Sequence, residues 1–403
     1  MEEWIKYRAI DFCASVTDGT HDSPKPKENG HYLITSKHLR NNSIDFSSAY
    51  KISEEDYQKV IQRSQVVQYD ILFSMIGTIG NTVRVTTPFV DFAVKNMAIF
   101  KMGGNELKSK WLYYWLQSDI AKEYISSRLA GSTQSYLTLD SLRSFPVFAP
   151  SEKTMTKIVD ILTSIDSKIE TNNRINHNLE EQAQALYKSW FVDFGPFKDG
   201  KFVDSELGMI PEGWKVIHFL DIAKLGGGGT PKTDIDAFWN GPIPFFTPKD
   251  VNASPFCLKT EKTITENGLK HCNSQLYDVY TTFITARGTV GKLCMAGAPM
   301  AMNQTNYAIC SKNGINAITI YLMCKQIVAD LKKKANGAVF DAITTRDFEG
   351  ESIIAAPDSV LARFSKIVGP IFDQILQNEK QTLTLMDQRD SVLPRLMSGG
   401  IDL

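Results

Sequence analysis

Between Ile158 and Trp190 one side of the chain repeats at steps of four and three residues: Ile158, Leu162, Ile165, Ile169, Asn172, Asn176, Leu179, Ala183, Leu186, Trp190. Only the two asparagines interrupt the apolar series, and the residues between are mostly Asp, Lys, Glu, Asn, Gln and Ser. A mean step of 3.5 residues is the seam of a coiled coil, narrower than the stripe of an ordinary surface helix. At 1.5 Å per residue such a helix is roughly 50–60 Å long. It needs a second helix to cover its seam.

The same chain supplies one. The same steps recur in Phe372, Leu376, Glu379, Leu383, Met386, Asp390, Leu393 and Met397. Pro150-Ser151 opens the first stretch and Pro357-Asp358 the second, and Ser and Asp are good N-caps. Other echoes keep the same order. Trp4-Ile5-Lys6 returns as Trp214-Lys215-Val216, Gly19-Thr20 as Gly229-Thr230, and Thr35-Ser36-Lys37 as Thr247-Pro248-Lys249. Gly77-Thr78-Ile79-Gly80-Asn81 returns as Gly288-Thr289-Val290-Gly291-Lys292, Asn96 as Asn306, and Gly131 as Gly337. An offset that stays between 206 and 212 throughout marks an internal duplication.

The predicted order is therefore globule, long helix, globule, long helix. The boundaries are a globule over 1–150, a long helix over 151–194, a linker over 195–213, a second globule over 214–357 and a second helix over 358–403. Within the globules the pattern predicts short strands at Tyr32–Thr35, Asp70–Met75 and Val83–Val85, and helices at Ser53–Ser64 and Leu107–Leu129. The fold class is mixed α/β (α+β). Two similar globules are separated by two antiparallel helices forming an intramolecular coiled coil, with a pseudo-twofold repeat. Asn172 and Glu379 fall at equivalent seam positions.

Composition excludes several classes. The six cysteines (13, 257, 272, 294, 310 and 324) include no CxxC, and the six histidines form no HExxH pair, so no metal site is expected. The dispersed thiols fit the cytoplasm. Met1-Glu2-Glu3-Trp4 does not resemble a signal peptide, and no long apolar run predicts a membrane span. Catalytic signatures are missing as well. Gly226-Gly227-Gly228-Gly229-Thr230-Pro231 lacks the Lys-Ser/Thr of a phosphate-binding loop, and no GxSxG elbow occurs. No methyl-donor signature or Asn-Pro-Pro-Tyr is present. The chain is expected to have no catalytic residues of its own.

What recurs is loop chemistry suited to nucleic acid. Gly19, Thr20, His21, Gly229 and Thr230 form one repeated loop; Thr35, Ser36, Lys37, Thr247 and Lys249 a second. Gly77, Thr78, Gly80, Asn81, Arg287, Gly288, Thr289, Gly291 and Lys292 form a third, and Lys95, Asn96, Asn303 and Gln304 lie beside them. Small residues allow close backbone approach, and hydroxyls, amides and lysines are common phosphate contacts. Asn and Gln can bond adenine bidentately. Each has a plainer reading. The Gly-Thr-x-Gly turns serve equally as tight strand connections, Asn303 and Gln304 as turn residues, and His21 and His38 as surface residues without partners. Trp190, Phe191, Phe194 and Phe197 end the first helix either as packing or as part of a docking surface. A protein-binding scaffold, two globules on a coiled coil, is the alternative to a DNA reader.

These features together resemble the specificity (S) subunit of Type I restriction-modification enzymes. The resemblance rests on the duplication, the loop Asp18-Gly19-Thr20-His21-Asp22-Ser23-Pro24 and the junction Lys188-Ser189-Trp190-Phe191-Val192-Asp193-Phe194. It rests also on Ile210-Pro211-Glu212-Gly213-Trp214, Ala286-Arg287-Gly288-Thr289-Val290-Gly291, and the tail Leu393-Pro394-Arg395-Leu396-Met397-Ser398-Gly399-Gly400-Ile401. It implies that each globule is a target recognition domain reading one half of a bipartite, asymmetric site on double-stranded DNA. The helices set the spacing and dock two methyltransferase (M) subunits, with Trp190, Phe191 and Phe194 as candidate docking residues. S-adenosylmethionine belongs to the M subunits, ATP and Mg2+ to the restriction (R) subunits, and no cofactor to this chain.

Overall fold

The computed structural model describes residues 4–40, 42–131, 135–334 and 342–400; Gly337 and Ile401 lie outside them. The chain forms two compact units, one of residues 1–167 with 385–403 and one of residues 168–384.

In the first unit the opening strand Ile5–Arg8 pairs antiparallel with Pro146–Ala149, the last strand before the long helix. A four-stranded sheet follows in the order Ser15–Asp18, Ala98–Lys101, Ile71–Phe73, Thr82–Arg84. A smaller sheet joins His31–Ile34 to Lys51–Ile52 and, in parallel, to Phe92–Val94. The helix Glu54–Ser64 starts where the sequence predicts it, with the Ser53 hydroxyl accepting from the Asp56 N–H at 3.2 Å. The helix predicted over Leu107–Leu129 is instead two helices, Glu106–Trp115 and Asp119–Ser127. Ser118 breaks it, because its hydroxyl caps the second helix through the Ala121 N–H.

The second unit repeats this plan. Lys215–His218 pairs with Ser352–Ala355, and a sheet runs Ala223–Gly227, Asn306–Ser311, Thr282–Thr285, Leu293–Ala296. A fifth strand, Phe256–Cys257, is added at its edge. The small sheet again holds one parallel pair, Trp239–Phe246 with Ala301–Met302. The fold is mixed α/β and duplicated, as expected. Residues 195–213 hold more than a connection: Phe202–Ser205 and Gly208–Pro211 form an antiparallel hairpin. Its strands, of four residues each, are too short to stand out in the sequence.

The long helices are Glu152–Phe191 and Asp358–Met397, each 40 residues. In the first unit Met155, Ile158, Val159 and Leu162 share a core with Leu393, Leu396 and Met397, and with Trp111, Trp115 and Phe145. Tyr114 donates to Asp166 at 2.8 Å, and Arg389 holds the other oxygen of that carboxylate at 3.0 Å. In the second unit Ala183, Trp190 and Phe191 pack with Phe364, Val368, Phe372 and Ile375. Burying each such aromatic or aliphatic side chain contributes about 1.5–3 kcal/mol. Rising numbers on one helix meet falling numbers on the other, so the pairing is antiparallel.

The centre of the pair in the second unit is polar. Asn172, fully buried, donates to Gln381 Oε1 at 2.9 Å and to Thr382 at 3.3 Å. Asn378 donates to Asn176 Oδ1 at 2.8 Å, and Asn176 donates to Glu379 at 3.0 Å. This corrects the expected seam of the second helix. Asn378 and Thr382 are buried in it, Glu379 and Leu383 are half-buried, and Met386 and Asp390 are exposed. A straight helix drifts from a strict 3.5-residue repeat, so the apolar stripe read from Phe372 onward leaves the contact at Met386 and Asp390 and meets the core again at Leu393 and Met397. On the first helix Ile158, Leu162, Asn172 and Asn176 are buried, and Ile165, Ile169, Leu179 and Leu186 half-buried.

Changing Asn176 to Ala leaves the buried Asn378 amide and the Glu379 carboxylate without their partner. Urea unfolding should show a loss of about 1–3 kcal/mol. The double change Asn176→Leu with Asn378→Leu should recover much of that loss, because apolar packing replaces the polar pair. A double variant weaker than the single one would exclude this pairing.

Candidate nucleic-acid interface

In each unit three of the repeated loops meet at one junction. The frame is made by backbone. In the first unit the Gly19 N–H donates to Met97 O at 2.9 Å, Thr20 N–H to Val94 O at 3.0 Å, and Lys95 N–H to Ile34 O at 2.8 Å. In the second, Gly229 N–H donates to Met302 O at 3.0 Å and Asn303 N–H to Phe246 O at 3.0 Å. The Gly-Thr loop, the Thr-x-Lys turn and the Lys95-Asn96 or Asn303-Gln304 corner are thereby tied together.

A glycine is required at this crossing. A Cβ on Gly19 would sit 2.3 Å from Val94 O, and one on Gly228 would sit 2.1 Å from Asn303 O. Strand register gives the same equivalence: Ala98 pairs with Phe73 and Tyr307 with Ile284, each just before the hairpin hydroxyl, so Ala98 corresponds to Tyr307, and Asp18 opposes the one as Gly227 opposes the other. Gly19 thus corresponds to Gly228 and His21 to Thr230. The match of Gly19-Thr20 with Gly229-Thr230 is out by one, because the run of four glycines lets the sequence slide without a visible break. By the same register Asn306 matches Met97, so its echo with Asn96 is out by one as well.

The Thr-x-Lys segments form matching single turns, Ser36–His38 and Pro248–Asp250. Thr35 N–H donates to His38 Nδ1 at 2.9 Å; Thr247 N–H donates to Asp250 Oδ2 at 2.7 Å. An imidazole and a carboxylate do the same work. Burial first, and then the Lys37 charge, hold the His38 imidazole below its ordinary pKa, which suits a ring nitrogen acting as acceptor. His38 is fully buried, not a surface residue. Each turn leaves its lysine, Lys37 or Lys249, exposed; Lys249 lies 3.8 Å from the exposed Glu261.

The Gly-Thr-x-Gly segments are tight hairpin connections. Ser74 Oγ accepts from Asn81 N–H at 2.9 Å and donates to Thr78 O. Thr285 Oγ1 accepts from Lys292 N–H at 3.0 Å and donates to Thr289 O. Gly77, Gly80, Gly288 and Gly291 take φ of 78°, 95°, 79° and 74°, the left-handed region that favours glycine. The buried hydroxyl three residues before each Gly-Thr was the missed signal. The hairpins touch the junction: Asn81 donates to Leu39 O at 3.0 Å, and Ala286 N–H donates to Thr305 O at 3.0 Å. Arg287, Gly288 and Thr289 are exposed at the tip. Lys292 lines a groove of about 290 Å³ beside Glu180, Tyr321 and Lys325, and Asn81 lines one of about 590 Å³ beside Gln117, Lys122 and Asp390.

The polar side chains at the junction differ between units. His21 meets Asn96 Oδ1 at 2.9 Å and Asp18 at 2.8 Å, so it has partners the sequence did not show. Asp18 also receives Arg63, and Lys95 reaches Ser23. In the second unit Thr230 bonds Gln304, while Asn303 Oδ1 accepts from Thr305 N–H at 3.1 Å and from Asn306 at 2.6 Å. Asn303 is a turn residue with its carbonyl engaged. The docking candidates Trp190 and Phe191 are only 7% and 5% exposed. They pack on Phe364 and Trp214, with Phe194 half-buried against Trp214, and so belong to the core. Among the described residues no group of three or more His, Cys, Asp or Glu is placed to hold a metal, and no helix is long and apolar enough to cross a membrane.

Comparison with known proteins points one way. The family model described as Type I restriction modification DNA specificity domain matches residues 1–181 and 211–384. The Type I restriction enzyme MjaIX specificity subunit of Methanocaldococcus jannaschii is 30% identical over 336 residues, covering 80% of this chain and 77% of that one. The HindI specificity subunit of Haemophilus influenzae is 26% identical over 397 residues, covering 82% and 86%. The crystal structure of the Type I restriction-modification S subunit from M. genitalium has a TM-score of 0.58 at 13% identity, covering 98% of this chain and 96% of that one, which is a likeness of fold.

The hairpin hook is open to a direct test. Thr285→Val keeps the shape but removes the acceptor for the Lys292 N–H. It should cost about 1–3 kcal/mol and speed hydrogen exchange at Gly291 and Lys292. Unchanged exchange there would show that the hydroxyl does not hold the turn.

Proposed function

The chain belongs to the family of Type I restriction-modification DNA specificity domains, and on that premise we propose that each unit reads its half of a split DNA site through the loop junction described above. One observation carries this reading. The two junctions share a frame, a crossing glycine and an exposed lysine, yet differ in the polar side chains around them. A shared lysine suits the phosphate backbone, which is the same in every sequence; differing neighbours suit bases, which are not. Lys37 and Lys249 are assigned to phosphate. Thr20, Thr35, Ser36, Lys95, Thr247 and the hairpin tips at Thr78 and Arg287–Thr289 are assigned to the surrounding DNA surface.

The chain acts without catalytic residues of its own, in the cytoplasm. It directs two methyltransferase subunits that carry S-adenosylmethionine to adenine, and with restriction subunits that use ATP and Mg2+ it directs cleavage of foreign DNA. The lack of any catalytic signature in the sequence supports this division of labour. The two helices serve as spacer and as docking surface; a length of about 60 Å per 40-residue helix supports the first role. With Trp190 and Phe191 in the core, docking is assigned to the outer faces of the helices, where Ile175 and Ile367 are exposed.

Changing Lys37 and Lys249 to Ala in the full chain tests the reading. Each change should weaken DNA binding across sequences and lower the slope of log affinity against log salt by about one. Unchanged affinity and slope would favour a scaffold that binds only proteins.

A further inference from the structure

The duplication allows an internal comparison that separates shared from distinct roles. Positions that agree between the units hold backbone: Gly19 and Gly228 at the crossing, Thr35 and Thr247 at the turn, Ser74 and Thr285 at the hairpin. One contact is kept in place while both of its residues change. His21 Nδ1 meets Asn96 Oδ1 at 2.9 Å in the first unit. In the second, Thr230 Oγ1 meets the Gln304 side-chain amide. Strand register makes His21 equivalent to Thr230, and the two corners after the parallel strands Phe92–Val94 and Ala301–Met302 bring Asn96 and Gln304 to the same place.

We infer that this bond between loops is the specificity element of each unit, with the Asn96 amide and the Gln304 amide as the groups that read a base edge. The inference rests on the DNA-reading function proposed above and adds which residues discriminate. Both amides stand on loops locked by backbone contacts too close for any side chain at the crossing glycine. Rigid support is what base readout needs, because a loosely held amide bonds water as well as a base. The partner fixes the orientation of each amide and uses one of its hydrogen-bonding sites. The remaining N–H and carbonyl lone pair match the donor and acceptor edges of a base in the major groove. Gln304 and Thr230 are exposed, so replacing them leaves the core untouched. Asn303 is excluded from the role because Thr305 and Asn306 occupy its carbonyl.

The experiment maps methylated adenines in the host genome with the chain intact and with Gln304→Ala, Thr230→Val or Asn96→Ala. The intact chain is expected to mark a split motif. Gln304→Ala should blur one position in one half and leave the other half unchanged, since a bidentate amide contact discriminates by ~5- to 150-fold. Thr230→Val should blur that same position, and Asn96→Ala a position in the other half. Thermal melting of the Gln304→Ala and Thr230→Val variants should match the intact chain, whereas Asn96→Ala, at a backbone φ of 54°, should melt lower yet still fold. An unaltered motif from the folded Gln304→Ala variant overturns the inference while leaving the DNA-reading function in place. Blurring of both halves at once by a single variant overturns it as well. A chain that marks no split motif even when intact overturns the proposed function itself, and is seen before any variant is examined.

Discussion

A forty-residue helix with an apolar stripe cannot exist alone in water, and everything else in this chain accommodates that fact. Each long helix must be covered along its length. In each unit the covering comes from two sources, the opposing helix and the globular sheets and helices packed beside it. Leu393, Leu396 and Met397 share the core of the first unit with Ile158 and Leu162, although more than two hundred residues separate them in sequence. Phe364 and Phe372 do the same for Trp190 and Phe191 in the second. The compact units therefore do not follow the order of the chain, and the last residues belong with the first.

Charges that cement helix to globule are shared and drawn partly out of water, Glu180 most deeply. In the first unit Asp166 takes a hydroxyl from Tyr114 and a guanidinium from Arg389. In the second, Glu180 takes Tyr321 and Lys325. Burial and the adjacent Glu180 carboxylate raise the Tyr321 pKa, and burial with Asp166 raises that of Tyr114, so both phenols remain donors. Ion pairs partly removed from water in this way offset much of their own desolvation and so add specificity more than net stability. Together with Asn172, Asn176 and Asn378 they admit one register for the helix pair, where a wholly apolar seam would tolerate several.

The loop junctions show how one frame can carry two specificities. The frame is backbone to backbone: a glycine crossing, a capped single turn, and a hairpin hooked by a hydroxyl. Such a frame does not depend on which side chains stand on its rim. His38 and Asp250 illustrate this at the turn, where chemically different acceptors satisfy the same threonine N–H. The rim is then free to differ, as His21 with Asn96 differs from Thr230 with Gln304.

The sequence by itself determined the duplication, the two long helices and the fold class, because periodicity and ordered echoes are local or one-dimensional signals; the family was legible through the resemblance of its motifs. It also marked the hairpin glycines and the matched lysines. It placed Met386 and Asp390 in the second seam, where they are exposed, while Leu376, Leu393 and Met397 are buried as read, since helical drift accumulates and only a facing partner shows where the stripe truly runs. It set the glycine equivalence out by one, since four successive glycines carry no register of their own. Trp190 and Phe191 read equally as surface or core, and the structure put them in the core because Phe364 and Trp214 arrive from distant parts of the chain. Partners of His21, His38 and Asn303 were likewise invisible. Hydrogen bonds between loops depend on how sheets bring separate segments together, and that is decided only by tertiary structure.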